Sequence, residues 1–318
     1  MRQFDFYNPV THHGLLPVRV MQHNIIDWFE KAAPDFMDEM IGETTYNGMQ
    51  KAITYQIDRT VITIACEITP QKQIVMYENF NQFLWSTCYS LIVLFDEAIQ
   101  IPLLSNKFNG TIDYDNIHIR KAISVFKEGF NLFRYFNDYV FFDLPNPEKY
   151  NEYEQKYIEK ANGVFVAAMT YMLLHEFGHQ YYGHLNYDST QEQSKRDEYV
   201  VDDYAYDKIA TKFGTQYEVT FKIGLVAALS SLYFFDDTLK GGDYHPDPDL
   251  RLKRQLDKMG LSDLDYLWGI ASLSFRLWTI TYNKEIILPL QIENYKRLFD
   301  LTLEKINEIK NTTANNGS

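Results

Sequence analysis

Cysteine and basic residues are both scarce in this sequence, and each shortage narrows the class of protein. Among 318 residues there are two cysteines, Cys66 and Cys88, which lie far apart and form no CxxC pair. This spacing argues against a disulfide framework. The chain has 30 Lys and Arg residues against 43 Asp and Glu residues, a formal net charge of −13. Because nucleic-acid backbones bind basic surfaces, we predict that nucleic acid is not a partner.

Long hydrophobic runs are also lacking. The longest apolar stretches, at 84–95, 163–174 and 224–235, are about a dozen residues long. A membrane-spanning helix needs roughly 20 such residues, so these stretches predict buried helices and no membrane partner. The first residues lack the apolar core of a signal peptide. We therefore expect a cytoplasmic location.

The sequence has enough apolar material for a sizeable core, because hydrophobic residues make up 46% of it. Its patterns predict an α+β fold that is mostly helical. Runs rich in β-branched and aromatic residues, at 53–57, 61–66 and 73–77, predict a small three-stranded antiparallel meander that precedes most of the predicted helices. Helical periodicity predicts a helix at 22–40 that is strained or divided near Pro34. It predicts further helices at 79–99, 117–140, 152–184, 191–213, 217–236, 248–259, 263–283 and 291–310.

The predicted domain organisation has one main unit. Residues 1–50 are expected to form an N-terminal extension, and residues 51–310 a single domain. Residues 311–318, which are polar and rich in Asn and Thr, are expected to be a disordered tail.

The most informative segment is His175-Glu-Phe-Gly-His179, which fits the pattern H-E-x-x-H. Two histidines at positions i and i+4 lie on one face of a helix, so both can bind one zinc ion. A glutamate beside the first histidine can take a proton from a water that the metal activates. We therefore predict His175 and His179 as zinc ligands and Glu176 as the catalytic base.

A third ligand decides the class of zinc peptidase. Metzincins place a glycine three residues and a histidine six residues after the second histidine. Here Gly183 and His184 lie four and five residues after His179. We interpret them as the end of the helix, with His184 either structural or supporting a ligand. The next predicted helix offers acids instead: Glu198 and Asp202 are spaced i, i+4 and share a face.

Glu198 is the favoured third zinc ligand, and Asp202 is the favoured acceptor for the second ring N–H of a ligand histidine. Two alternatives stay open. Asp202 can be the ligand in place of Glu198, or the helix can simply present a solvated acidic face, since Glu192, Asp197 and Asp203 lie nearby.

A third element begins at His245, in a loop rich in Gly, Pro and Asp. Pro248 can occupy the first turn of the helix that follows, and Arg251 lies in the same turn. A helix N-terminus favours an anion, so His245 and Arg251 are predicted to be catalytic and to stabilise the oxyanion of the reaction. In the alternative role, Arg251 pairs with Asp202 or Asp203 and braces the helix at 191–213 that carries them.

In this order, H-E-x-x-H, E-x-x-x-D and H-P-x-x-x-x-R resemble the gluzincins, and most closely the soluble Lit family of phage-exclusion peptidases. The resemblance covers roughly residues 50–285. It implies a gluzincin-type fold and one zinc ion per chain at His175, His179 and Glu198, with Glu176 as base. It also implies cleavage of a host translation factor, elongation factor Tu, as a suicide response to phage infection, with a phage-derived activator as a candidate partner.

Two other functions fit the same residues. A regulatory gluzincin has the same core and cleaves a repressor or another signalling protein. A metal-stabilised binding module has no turnover and does not need the base, so the intact Glu176 argues against it. Structural zinc sites also usually close the fourth position with another protein ligand.

Overall fold

Helices form most of the described part of the chain. The computed structural model describes residues 2–34, 36, 53–69, 71, 73–107, 113–186, 188–288 and 293–315. The helices are α1 Gln22–Ala32, α2 Glu78–Phe95, α3 Ile101–Leu104, α4 Ile117–Asn131, α5 Tyr139–Asp143, α6 Gln155–Tyr181, α7 Gln191–Phe213, α8 Glu218–Ser231, α9 Pro248–Lys258, α10 Tyr266–Thr281 and α11 Tyr295–Asn315. This composition agrees with the predicted mostly helical α+β class.

Local chemistry fixes where several helices begin. The side chain of Asn116 caps α4 by accepting hydrogen bonds from His118 N and Ile119 N. Thr190 caps α7 in the same way, with Gln193 N as the donor. Helix α9 begins at Pro248, where the missing N–H of proline costs nothing because the first turn has no partner for it.

Two helix predictions were wrong in extent. Helix α4 ends at Asn131 and the chain turns before α5, so residues 117–140 are not one helix. Phe133 lies in the turn that follows α4 and packs edge-to-face against Phe83, so a residue outside the helix still contributes to the core. At the other end of the chain, α11 continues to Asn315, past the predicted end at residue 310. Residues 316–318, like residues 37–40 of the first predicted helix, lie outside the described residues.

The small sheet precedes the central helices, as predicted, but its middle strand lies at Cys66–Ile68 and not at 61–66, and its pairing differs from the antiparallel meander. Its strands are β2 Ile53–Gln56, β3 Cys66–Ile68 and β4 Ile74–Tyr77, in the order β2-β4-β3. Strand β3 pairs antiparallel with β4, whereas β2 pairs with β4 in parallel. The reason lies in residues 57–65, which form no hairpin: Ile62 N donates instead to Leu132 O at 2.9 Å, beyond the end of α4.

A second sheet, of two strands, was not predicted. Strand β1, Gln3–Asp5, pairs antiparallel with β5, Lys149–Asn151. Strands of three residues are too short for an alternating pattern to stand out in the sequence.

Helix α6 lies at the centre of the fold and packs against α1, α2, α7 and α8. The approach of α8 is close enough to require glycine at Gly224, where a Cβ atom would lie 2.8 Å from Ala167 Cβ. Such packing places the metal-ligand pattern of α6 inside the protein, with α7 alongside it.

Two segments, Glu78–Leu104 and Glu218–Phe235, are long and apolar enough to cross a membrane by length and composition alone. Within their most apolar windows, 67% and 61% of the residues are buried inside the fold. Helix α2 is buried over its whole length. Packing in the core therefore accounts for the apolar character of both segments.

Candidate metal centre

Four elements meet at one cleft: β3, α6, α7 and the loop before α9. The cleft has a volume of about 510 Å³. Residues 63–68 line one side, and Leu229, Leu232 and Phe235 form an apolar wall. The side chains of the H-E-x-x-H segment face the same space. The fold thus brings the predicted chemical residues to a cavity that is large enough for a short peptide segment.

His175, His179 and Glu198 converge in this cleft. Their candidate ligand atoms all lie within 4.8 Å of one another. His175 Nε2 is 3.3 Å from His179 Nε2 and 3.4 Å from Glu198 Oε2. His179 Nε2 is 3.3 Å from Glu198 Oε1. His175 and Glu198 are buried, and His179 is partly buried.

The carboxylate of Glu198 fits a metal ligand. Its Oε2 atom is buried and accepts no hydrogen bond from the described residues, although Arg251 Nη1 lies 3.0 Å away. Apart from this ion pair no donor occupies the lone pairs of Oε2, so they stay open to a metal ion. Two imidazoles and one carboxylate are also a common set of metal ligands. The three side chains can therefore hold a metal ion.

Asp202 lies behind His175, on the side away from Glu198. Asp202 Oδ1 is 3.0 Å from His175 Nδ1 and accepts a hydrogen bond from the Tyr171 hydroxyl at 2.9 Å. A proton on Nδ1 directs the lone pair of His175 Nε2 into the site. The placement matches the predicted acceptor role, and the alternative with Asp202 as a ligand has no support from this geometry. Tyr171 was missed, although its position four residues before His175 on α6 was a usable signal.

Arg251 pairs with both Glu198 and Asp202 of α7. Its Nε donates to Asp202 Oδ2 at 2.8 Å, and its Nη2 donates to Asp202 Oδ1 at 2.7 Å. Burial raises the pKa of Asp202, but the charge of Arg251 and the hydrogen bond with His175 outweigh burial and hold that pKa well below its usual range. Burial acts the same way on Glu198, and Arg251 and His175 again hold its pKa well below the usual range. Both acids are therefore ionised at neutral pH.

The same acids favour positive charge at His175. Burial lowers the pKa of His175, but Glu198 and Asp202 outweigh it and raise that pKa to about 10. The surroundings thus stabilise a positive charge between the His175 ring and the Glu198 carboxylate. A metal ion held by His175 would take the place of the proton on Nε2, because a ligating imidazole must be neutral.

Glu176 faces the cleft and is tied to the edge of the sheet. Its Oε2 atom accepts a hydrogen bond from Ile68 N of β3 at 3.0 Å. Burial raises the pKa of Glu176, although His175 and His179 oppose the change. A carboxylate with a raised pKa is a better proton acceptor than an ordinary one. The contact with Ile68 could not be predicted, because the register of β3 depends on the tertiary fold.

The second ring nitrogen of His179 faces His184. The two Nδ1 atoms are 3.2 Å apart, and His184 Nε2 is 3.7 Å from Asp197 Oδ1. Gly183, with a φ of 74°, ends the helix and turns the chain so that His184 reaches back to the site. Of the two roles left open for His184, the geometry favours support of a ligand.

His245 and Arg251 reach the site from different directions. The His245 side chain is 62% exposed at the mouth of the cleft, with Nε2 at 3.8 Å from Glu198 Oε1. The Arg251 side chain is only 8% exposed and sits behind Glu198 and Asp202. Arg254, one turn further on, pairs with Asp203. The structure thus brings all seven predicted site residues together, but it gives Arg251 the contacts expected of a brace.

This arrangement is typical of a peptidase: one helix carries two histidines and a glutamate, the next helix supplies an acid, and a cleft lies beside them. Comparison with known families agrees: the chain belongs to the Peptidase U49 family, whose model matches residues 74–271, more than half of the sequence. No curated protein matches the chain. No solved structure matches it either.

Proposed function

We propose that the chain is a zinc-dependent endopeptidase of the gluzincin type. The convergence of His175, His179 and Glu198 beside Glu176 carries this proposal. Ligands of a tetrahedral zinc ion at about 2.0–2.1 Å lie about 3.3–3.4 Å from one another. The Nε2 atoms of His175 and His179 are 3.3 Å apart, which agrees with this distance, and each has a different Glu198 oxygen at 3.3 or 3.4 Å. Two imidazoles and one carboxylate with a fourth position left open favour zinc, with one ion per chain.

The proposed chemistry divides between the ion and the protein. A zinc ion held by these three side chains supplies Lewis acidity, which lowers the pKa of a water molecule and polarises a carbonyl group. Glu176 takes the proton of the attacking water and passes it to the leaving amine. Asp202 and His184 orient His175 and His179 through the second ring nitrogens.

His245 and Arg251 have separate proposed roles. His245 stands at the mouth of the cleft and donates a hydrogen bond to the oxyanion that forms at the attacked carbonyl. Arg251 is a positioning residue, since its guanidinium is already shared between Asp202 and Glu198. The pair of acids would repel each other without it.

The substrate is proposed to bind as an extended strand along β3. This strand is at the edge of its sheet, and residues 63–68 line the cleft. An extended peptide can add to such an edge through main-chain hydrogen bonds. The apolar wall of Leu229, Leu232 and Phe235 on the other side would take an apolar side chain.

For the biological role we propose phage exclusion in the cytoplasm, with elongation factor Tu as the substrate and a phage-derived trigger. The support is the resemblance of the motifs to the Lit family. A regulatory peptidase that cleaves a repressor has the same core. The two functions differ only in substrate.

Protein fragments in cells separate these functions. Wild type, Glu176→Gln and the surface control Glu192→Gln would be expressed with and without phage infection, and fragments would be identified by mass spectrometry. Glu192 is a suitable control because its side chain is 88% exposed. We expect fragments of elongation factor Tu with wild type and Glu192→Gln, and none with Glu176→Gln. Intact translation factors beside a cut repressor would assign the regulatory function instead.

A further inference from the structure

Helix α11 lies outside the part of the chain that the family model matches, yet one of its side chains reaches the loop before α9. Lys310 Nζ donates to Asp247 Oδ2 at 2.6 Å and to the two carboxylate oxygens of Asp249 at 2.9 and 3.1 Å. The Lys310 side chain is only 11% exposed, and that of Asp249 is fully buried. A buried ammonium between two carboxylates is a specific arrangement, because each charge would be costly alone.

The same contacts close the loop that carries His245. Asp247 precedes α9 but makes no side-chain cap with it. Its Oδ1 atom instead accepts a hydrogen bond from Gly241 N at 3.0 Å, which joins the two ends of residues 241–247. The closure is tight: a Cβ atom at Gly241 would lie 2.1 Å from Pro246 O. Lys310 thus anchors the residue that closes this loop.

The position of His245 depends on that backbone. Within the described residues its ring makes no hydrogen bond, and its nearest charged partner, Glu198 Oε1, is 3.8 Å away. The ring is therefore placed by the loop rather than by partners of its own. A change at the base of the loop would therefore move His245. Metal content reports separately on Glu198, which is braced by Arg251 of α9.

We propose that Lys310 of α11 is a positioning residue for the peptidase reaction, which acts by closing the 241–247 loop and so fixing His245 at the mouth of the cleft. The kinetic part of this inference rests on the proposed function. The structural link between Lys310 and the loop is independent of that function.

Kinetics on a cleaved peptide test the inference. Lys310→Met removes the ammonium and keeps an apolar stem, while Lys305→Met changes a partly exposed lysine of the same helix that pairs with Glu308. His245→Ala is expected to keep its metal and to lose roughly 10²- to 10³-fold in kcat. Lys310→Met is expected to keep its metal and to lose about 10-fold or more in kcat, with a smaller change in KM. Lys305→Met should match wild type.

A double mutant separates positioning from stability. If Lys310 acts through His245, Lys310→Met should cost little further kcat in a His245→Ala background. Leu303→Ala, a buried change elsewhere on α11, should lower Tm and leave kcat per folded molecule unchanged. A full additive loss in the double mutant, or an equal loss of kcat in Leu303→Ala, would overturn the inference.

A measurement independent of activity keeps the two proposals distinguishable. In the Glu176→Gln background, Lys310→Met should speed hydrogen exchange at the Gly241 amide, whereas Lys305→Met should not. Should Lys310→Met not fold, Asp247→Asn tests the same link, since it keeps an acceptor for Gly241 and removes one of the two charges that face Lys310. Unchanged exchange in the folded variant contradicts the loop link. Faster exchange in Lys310→Met, together with a wild-type protein that shows no peptidase activity, would keep the link and reject the proposed function.

Discussion

Glu176→Gln is expected to keep its metal and its fold and to lose at least about 10²-fold in peptidase turnover. Glutamine has the same shape as glutamate but cannot take a proton from water. Its side-chain oxygen can still accept the hydrogen bond from Ile68 N, which in the wild type is 3.0 Å from Glu176 Oε2. The substitution therefore removes the base and leaves the contact with β3 in place.

Metal content, Tm and kcat measured on the same preparation make this comparison decisive. Glu192→Gln serves as the matched control, because it makes the same chemical change on the exposed side of α7. The raised pKa of Glu176, which follows from its burial, adds to the expected effect, since a stronger base is being removed. Turnover that equals wild type in a clean Glu176→Gln preparation would remove Glu176 from the mechanism.

Glu198→Ala is expected to lose the metal outright, whereas Asp202→Asn should weaken metal binding about 10- to 100-fold. Glu198 faces the Nε2 atoms of both histidines, and its Oε2 atom accepts no hydrogen bond within the described residues. Asp202 instead faces His175 Nδ1. The first substitution therefore removes a ligand, and the second disturbs only the orientation of one.

Zinc titration of both variants measures the difference. Asp203→Asn is the control, because Asp203 is the next acid on α7 and pairs with Arg254 outside the site. It should bind zinc as wild type does. Loss of zinc in Asp202→Asn with retention in Glu198→Ala would show that the two roles are reversed.

The sequence predicted those parts of the site that depend on local periodicity. The i, i+4 spacing of His175 and His179 fixes their shared face once the segment is helical, and the same rule pairs Glu198 with Asp202. That these two faces meet depends on the packing of α6 against α7. The buried character of α6 was already visible in its apolar run.

Other features depend on contacts between distant segments and could not be predicted in this way. The parallel pairing of β2 with β4 follows from the path of residues 57–65, which are held at Leu132 rather than in the sheet. Lys310 meets Asp247 across 63 residues of sequence. No local pattern marks it, because a lysine on an amphipathic helix normally faces solvent.

Zinc content tests the central claim most directly. The wild-type protein would be purified without chelators, passed through gel filtration and analysed for metals, then titrated with zinc after any bound metal has been removed. We predict about one equivalent of zinc per chain, because His175, His179 and Glu198 form one three-ligand site. A folded protein that carries no metal and rejects added zinc would contradict the assignment.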